Sequence, residues 1–185
     1  RRITTWMQEA GMSVRLDAAA NLIGRYEGAD PNAMTLLIGS HIDTVRDGGR
    51  YDGPLGIMLG IEAVAALQES GKRPRFAIEV IAFGDEEGSR FPASMTCSRA
   101  VAGILDPAAL KVVDSEGTSI GKARTYFEER IDWPAAWDDI KTAGYDPAKV
   151  LGYFEPHIEQ GPVLEAEDLA LSVVSGIAAQ LRVQI

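Results

Sequence analysis

Apolar residues recur along the chain with two periods, and the changes of period mark its elements. Ile3, Trp6, Met7 and Ala10 lie at helical spacing, and Gly11 supplies the stop that ends such a helix. Met12 to Leu16 and Asn21 to Glu27 predict two short strands joined by a small connection. Thr35 to Gly39 and Phe76 to Phe83 are near-continuous apolar runs, the pattern of strands covered on both faces. Between them Gly56 to Ser70 predicts a helix, with Ile57, Ile61, Val64, Ala65 and Leu67 on one face and Gly71 closing it. Met95 to Ala102 predicts a further helix, and Asp106-Pro107 opens another short one. Lys111 to Lys149 is broken by Gly and Pro and predicts only short helices. Gly152 to Glu155, Leu169 to Val174 and Ala179 to Ile185 predict the last strands. No internal repeat or low-complexity tract interrupts this order.

Strands alternating with helices predict an α/β fold, a mostly parallel mixed sheet flanked by helices. Ligands of such sheets lie outside the carboxyl ends of the strands. The residues just beyond the apolar runs are therefore where chemistry is expected. His41 is predicted just past the first run and Glu86 and Glu87 just past the second. Asp52 and His157 are likewise expected to follow strand-like segments.

Charge and cysteine usage narrow the function. A net charge of −9 with no Lys/Arg cluster argues against nucleic acid or an anionic membrane as partner. The single Cys97 excludes an internal disulfide framework and fits a reducing compartment, with the cytoplasm as the simplest address. No signal peptide or long apolar span is read. The 185 residues suffice for one substantial core. Because the chain opens inside a predicted helix and ends inside a predicted strand, it is expected to be an internal piece of a longer protein, truncated at both ends.

Four segments carry the chemistry. Gly39-Ser-His-Ile-Asp-Thr-Val45 puts an imidazole two residues from a carboxylate. A histidine at a strand end is ordinarily scaffolding, but as a metal ligand it needs an acceptor to fix its tautomer, and Asp43 is a candidate. Asp52, in Tyr51-Asp-Gly53, is ordinarily a turn residue; its two oxygens also suit a bridge between two metals. Glu86-Glu87 would usually be a solvated acidic loop. In a hydrolase one of the pair binds metal while the other takes a proton from water. His157, the second and last histidine, sits in His-Ile-Glu-Gln-Gly. Imidazole and carboxylate together suit a borderline metal such as zinc.

The motifs GSHIDTV, GRYDGPLGI, AFGDEEGSRF and PHIEQGPVLE, in this order, resemble the hydantoinase/carbamoylase branch of the M20 peptidase family. That branch holds N-carbamoyl-L-amino-acid hydrolases, β-ureidopropionases and allantoate amidohydrolases. The resemblance runs from Arg1 to Ile185 and implies a zinc-exopeptidase-like catalytic domain over residues 1–175. A lid and dimerisation domain would begin at 176–185. It also implies two divalent metal ions, zinc first, with manganese, cobalt or nickel able to use the same donors. By position, His41, Asp52 and His157 would hold one metal, with Asp52 bridging, and Glu87 the second. Glu86 would be the catalytic base, Asp43 would orient His41, and Gln160 would lie near the substrate. The implied reaction is attack of metal-activated water on a carbamoyl or ureido carbonyl, in a cytoplasmic homodimer.

This sequence departs from the family pattern in three places. The family's second metal takes a further histidine, and no third histidine occurs here. The body of the lid would follow Ile185. Cys97 stands where the family commonly has glycine. Two other readings stay open: a metal-binding module without turnover, and an M20 aminopeptidase or deacylase, which His157 disfavours.

Overall fold

Five strands form one sheet: β1 (Ser13–Leu16), β2 (Leu22–Tyr26), β3 (Thr35–His41), β4 (Ala77–Phe83) and β5 (Val150–Phe154). The structure is a computed structural model and describes residues 1–130 and 139–177. The sheet order is β1-β2-β4-β3-β5. β3 pairs in parallel with both β4 and β5, while β1–β2 and β2–β4 are antiparallel. The parallel half is the part that positions chemistry. Its register sets His41 beside Phe83, so the segments leaving β3 and β4 emerge together at one edge.

Every residue of β4 is buried, as its apolar run predicts. One face of the sheet is covered by α1 (Arg2–Glu9) and α2 (Pro54–Glu69). There Met7, Ile57, Ile61 and Val64 pack against Tyr26, Ile78 and Val80. Each such aliphatic side chain contributes about 1.5–3 kcal/mol on full burial. The other face carries Ile23, Leu37, Ile81 and Phe83, closed by Val101 of α3 (Thr96–Val101) and by Tyr145. Among the described residues the remaining helices are α4 (Ile120–Arg130) and α5 (Val163–Ala166). Three single 3-10 turns, Pro107–Lys111, Ile140–Ala143 and Pro147–Lys149, each begin after an aspartate. Asp106, Asp139 and Asp146 accept from the amide two residues on, which satisfies a donor the turn leaves free.

The structure corrects several expectations. His41 closes β3 rather than following it, because its pairing with Phe83 continues the ladder. Asp52 stands at the head of α2, not at a strand end. The segment from Lys111 to Lys149 holds an eleven-residue helix, α4, rather than only short ones. Residues 169–174 form no strand: Leu171 and Val173 are 87% and 93% exposed, and no neighbour strand pairs with them among the described residues. The expected strand Ala179–Ile185 lies outside the described residues.

Candidate metal centre

His41 and His157 meet at the edge where β3 and β5 end. His41 is buried, and its Nδ1 lies 2.8 Å from the main-chain oxygen of Asp43. His157 repeats the arrangement, with Nδ1 2.8 Å from the main-chain oxygen of Ile158. A carbonyl can only accept, so each neutral ring carries its proton on Nδ1 and its lone pair on Nε2. The two Nε2 atoms face each other at 3.2 Å. Asp52 Oδ1 completes the triangle, 3.7 Å from His41 Nε2 and 3.3 Å from His157 Nε2. Two lone pairs and a carboxylate oxygen converging on one point repel each other unless a cation lies among them. The donor set fits zinc or a similar ion.

A second group shares His41. Ligand atoms of His41, Glu86 and Glu87 lie within 4.8 Å of one another, as do those of His41, Asp52 and His157. The residue common to both groups is thus His41, while Asp52 falls in the first. Asp43 divides its work. Its main-chain oxygen holds the His41 ring, and its carboxylate accepts from the amides of Glu86 and Glu87 at 3.1 and 3.0 Å. Its Oδ1 stands farther from the ring, 3.8 Å from Nδ1. Gln160 donates from Nε2 to both oxygens of Asp52, at 3.2 and 3.1 Å.

Two glycines let the head of α2 close on these ligands. Gly53 has φ +82°, and a Cβ there would stand 2.4 Å from the His41 main-chain oxygen. At Gly56 a Cβ would stand 2.1 Å from the Pro156 carbonyl, immediately before His157. Any side chain at Gly56 would push the two histidine-bearing segments apart.

Residues 37–184 match the peptidase family M20/M25/M40. The chain belongs to this family. It is 46% identical over 182 residues to an N-carbamoyl-L-amino acid amidohydrolase of Geobacillus stearothermophilus, covering 98% of this chain and 43% of that protein. An allantoate deiminase of Arabidopsis thaliana is 45% identical over 188 residues, covering 99% of this chain and 34% of that protein. The fold agrees with that of a hydantoinase/carbamoylase family amidase from Burkholderia ambifaria. That structure gives a TM-score of 0.78 at 39% identity, over 90% of this chain and 38% of the other. The chain thus spans about two fifths of the length of the relatives it matches.

In this M20 chain the acidic loop is electrostatically crowded. Burial raises the Glu86 carboxyl above its usual range; the neighbouring His41 opposes the rise, while Glu87, Asp43 and Glu155 add to it. Asp85 is raised too, first by burial, against a hydrogen bond from the Thr96 hydroxyl. Behind this loop lies a mostly apolar cavity of about 290 Å³. Asp43, Asp85, Phe91, Thr96, Cys97 and Phe127 are among the residues that line it. The Cys97 Sγ donates to the Ala19 carbonyl, and burial pushes the thiol up to about 12.

The sequence reading did not single out Asp85, Thr96, Tyr153 or Glu155. Asp85 sits beside the glutamates in Gly84-Asp-Glu-Glu-Gly88 and could have been included on that ground. Tyr153 donates to Glu155 at 2.9 Å, and Glu155 reaches Glu86 through space. Nothing in the sequence marks Thr96.

Proposed function

We propose that the protein is a dimetal amidohydrolase that cleaves the carbamoyl or ureido C–N bond of an N-carbamoyl-L-amino acid or of allantoate. The observation that carries this reading is the convergence of the two Nε2 lone pairs on Asp52. Its substrate class rests on what the matched relatives are named for. His41, Asp52 and His157 would hold one ion, and Glu87 would hold the second. Zinc is the ion the imidazole and carboxylate donors favour. Bound there, the ions would polarise the scissile carbonyl and acidify water.

The chain's own residues then handle the proton. Glu86 takes it from the attacking water and delivers it to the leaving nitrogen. Burial raises the proton affinity of this carboxyl, which suits it to accept and hold the proton between the two steps. Asp43 keeps Glu86 and Glu87 in place through their amides. Gln160, which donates to Asp52, would lie near the substrate. Hydrolysis of a carbamoyl group yields the free amine and carbamate, which decays to ammonia and carbon dioxide.

Residues 1–175 are assigned to the catalytic domain and 176–185 to the start of a lid and dimerisation domain. The whole protein is assigned as a cytoplasmic homodimer, by analogy with the family. A second reading, a metal-binding module without turnover, would use the same donors, His41, Asp52 and His157.

Metal content by mass spectrometry tests the site that both readings share, and turnover of a carbamoyl substrate separates them. The purified chain is expected to hold about one ion or more, lost in His41→Ala and in His157→Ala. A folded chain without metal overturns the site. In protein that turns over a carbamoyl substrate, Glu86→Gln is expected to lower kcat by about 10³-fold, within the range for removing a general base. Unchanged kcat overturns the base, and faster cleavage of dipeptides than of carbamoyl compounds overturns the substrate class.

A further inference from the structure

The two glutamates leave the sheet through an uncommon turn. Asp85 has φ +56°, in the left-handed region that disfavours residues with a Cβ, although aspartate tolerates it better than most. Such a backbone persists only where neighbours hold it. Here the Thr96 hydroxyl donates to the Asp85 carboxylate. Thr96 is 5% exposed, so its hydroxyl has little access to solvent. The adjacent Met95 amide donates to the Glu86 carbonyl at 3.2 Å, so the start of α3 grips the loop twice. On the opposite side the Asp43 carboxylate accepts from both glutamate amides.

Capping of α3 does not account for this use of Thr96. The N-cap of α3 is Met95, and the Thr96 hydroxyl turns away from the helix to the loop. We propose that Thr96 is a positioning residue: its hydrogen bond to Asp85 fixes the turn from which Glu86 and Glu87 diverge, one toward a cation and one toward the reacting water. The division of labour between the glutamates rests on the function proposed above; the fixing of the turn does not.

The test compares Thr96→Val, which keeps the shape and loses the hydroxyl, with Thr96→Ser, which keeps the hydroxyl. Two readouts are taken on the full 185-residue chain: amide hydrogen exchange by NMR at Glu86, Glu87 and Met95, and zinc affinity by competition with a chromophoric chelator. Thr96→Val is expected to exchange about tenfold faster at these amides and to bind zinc about tenfold more weakly, the scale of one buried hydrogen bond. Thr96→Ser is expected to match the wild type in both. Unchanged exchange in Thr96→Val overturns the proposal, and so does faster exchange with unchanged zinc affinity. Loss of protection throughout β3 and β4 that serine does not rescue also overturns it, because packing would then be the role of Thr96. A wild-type chain that binds no zinc, yet shows the valine-specific exchange, supports the fixed turn and overturns the metal reading instead.

Discussion

The two ends of β4 carry buried charge in opposite ways. Near its start Glu79 is 3% exposed, on the face covered by Tyr145. Arg15 and Arg25 approach its two oxygens at 3.2 and 3.1 Å, and the Tyr145 hydroxyl donates to it as well. Two guanidiniums from β1 and β2 thus meet one carboxylate. Beyond its end, about 13 Å on at strand rise, the balance reverses. Asp43, Asp85, Glu86 and Glu87 crowd together, and the groups facing Asp43 and Asp52 in ion-pair geometry are histidines. Desolvating an ion costs several kcal/mol unless partners offset it. The first cluster holds its partners within the chain; the second is the one that the proposed metal would neutralise. That deficit of positive charge distinguishes a site from scaffolding better than the count of acidic residues does.

The largest expected effect breaks the compensated end. Glu79→Ala leaves Arg15, Arg25 and Tyr145 facing one another, and the urea midpoint should register a loss of about 3 kcal/mol, the lower part of the range for a broken buried pair because Arg15 is half exposed. A loss below that of an ordinary surface change would mean that the cluster is not an offset charge. Slightly smaller is the effect of filling the other end. Zinc at about a hundred times its Kd should add about 2.7 kcal/mol, seen as a rise in Tm that a chelator reverses. His41→Ala should abolish this rise, whereas Glu79→Ala should keep it whole, since sites this far apart add independently. A zinc increment lost in Glu79→Ala would couple the two ends and dissolve the contrast.

Much of the site end was legible because its residues cluster in short sequence motifs. His41, Asp52, Glu86, Glu87 and His157 each sit in a short motif that contains glycine, and each motif can be read locally. The Glu79 cluster was hidden. Its partners lie 54 and 64 residues away in sequence, and only the antiparallel register setting Arg25 beside Glu79 brings them together. For α4 the reason is different. Gly121-Lys-Ala-Arg-Thr-Tyr-Phe-Glu-Glu-Arg130 has too few apolar residues to show a helical stripe. A start signal was present in Ser119, whose hydroxyl accepts from the Lys122 amide. The segment from Leu169 to Val174 erred the other way. Its alternating apolar pattern is that of a strand, but alternation only becomes a strand where another strand pairs with it, and here the side chains stand exposed.

The smallest effect sharpens the comparison through its sign. Glu86 is raised in the folded chain, chiefly by burial. Its contribution to stability is therefore fully present below its unfolded value near 4.5 and is lost as pH rises through the higher folded value. Glu27, which receives a hydrogen bond from Arg25 at 2.8 Å, is lowered chiefly by that bond. Its contribution is present above the unfolded value and is lost as pH falls through the folded one. In chelator, Glu86→Gln should thus gain on the wild type in urea midpoint as pH rises from the acid range to neutrality. Glu27→Gln should fall behind over the same interval, by a small margin because this pair is largely exposed and screened. Zinc should cancel the gain of Glu86→Gln, since the cation supplies the charge that the loop lacks, and should leave Glu27→Gln unchanged. Parallel drifts of the two variants in chelator would show that neither burial at one end nor the guanidinium at the other controls these carboxylates.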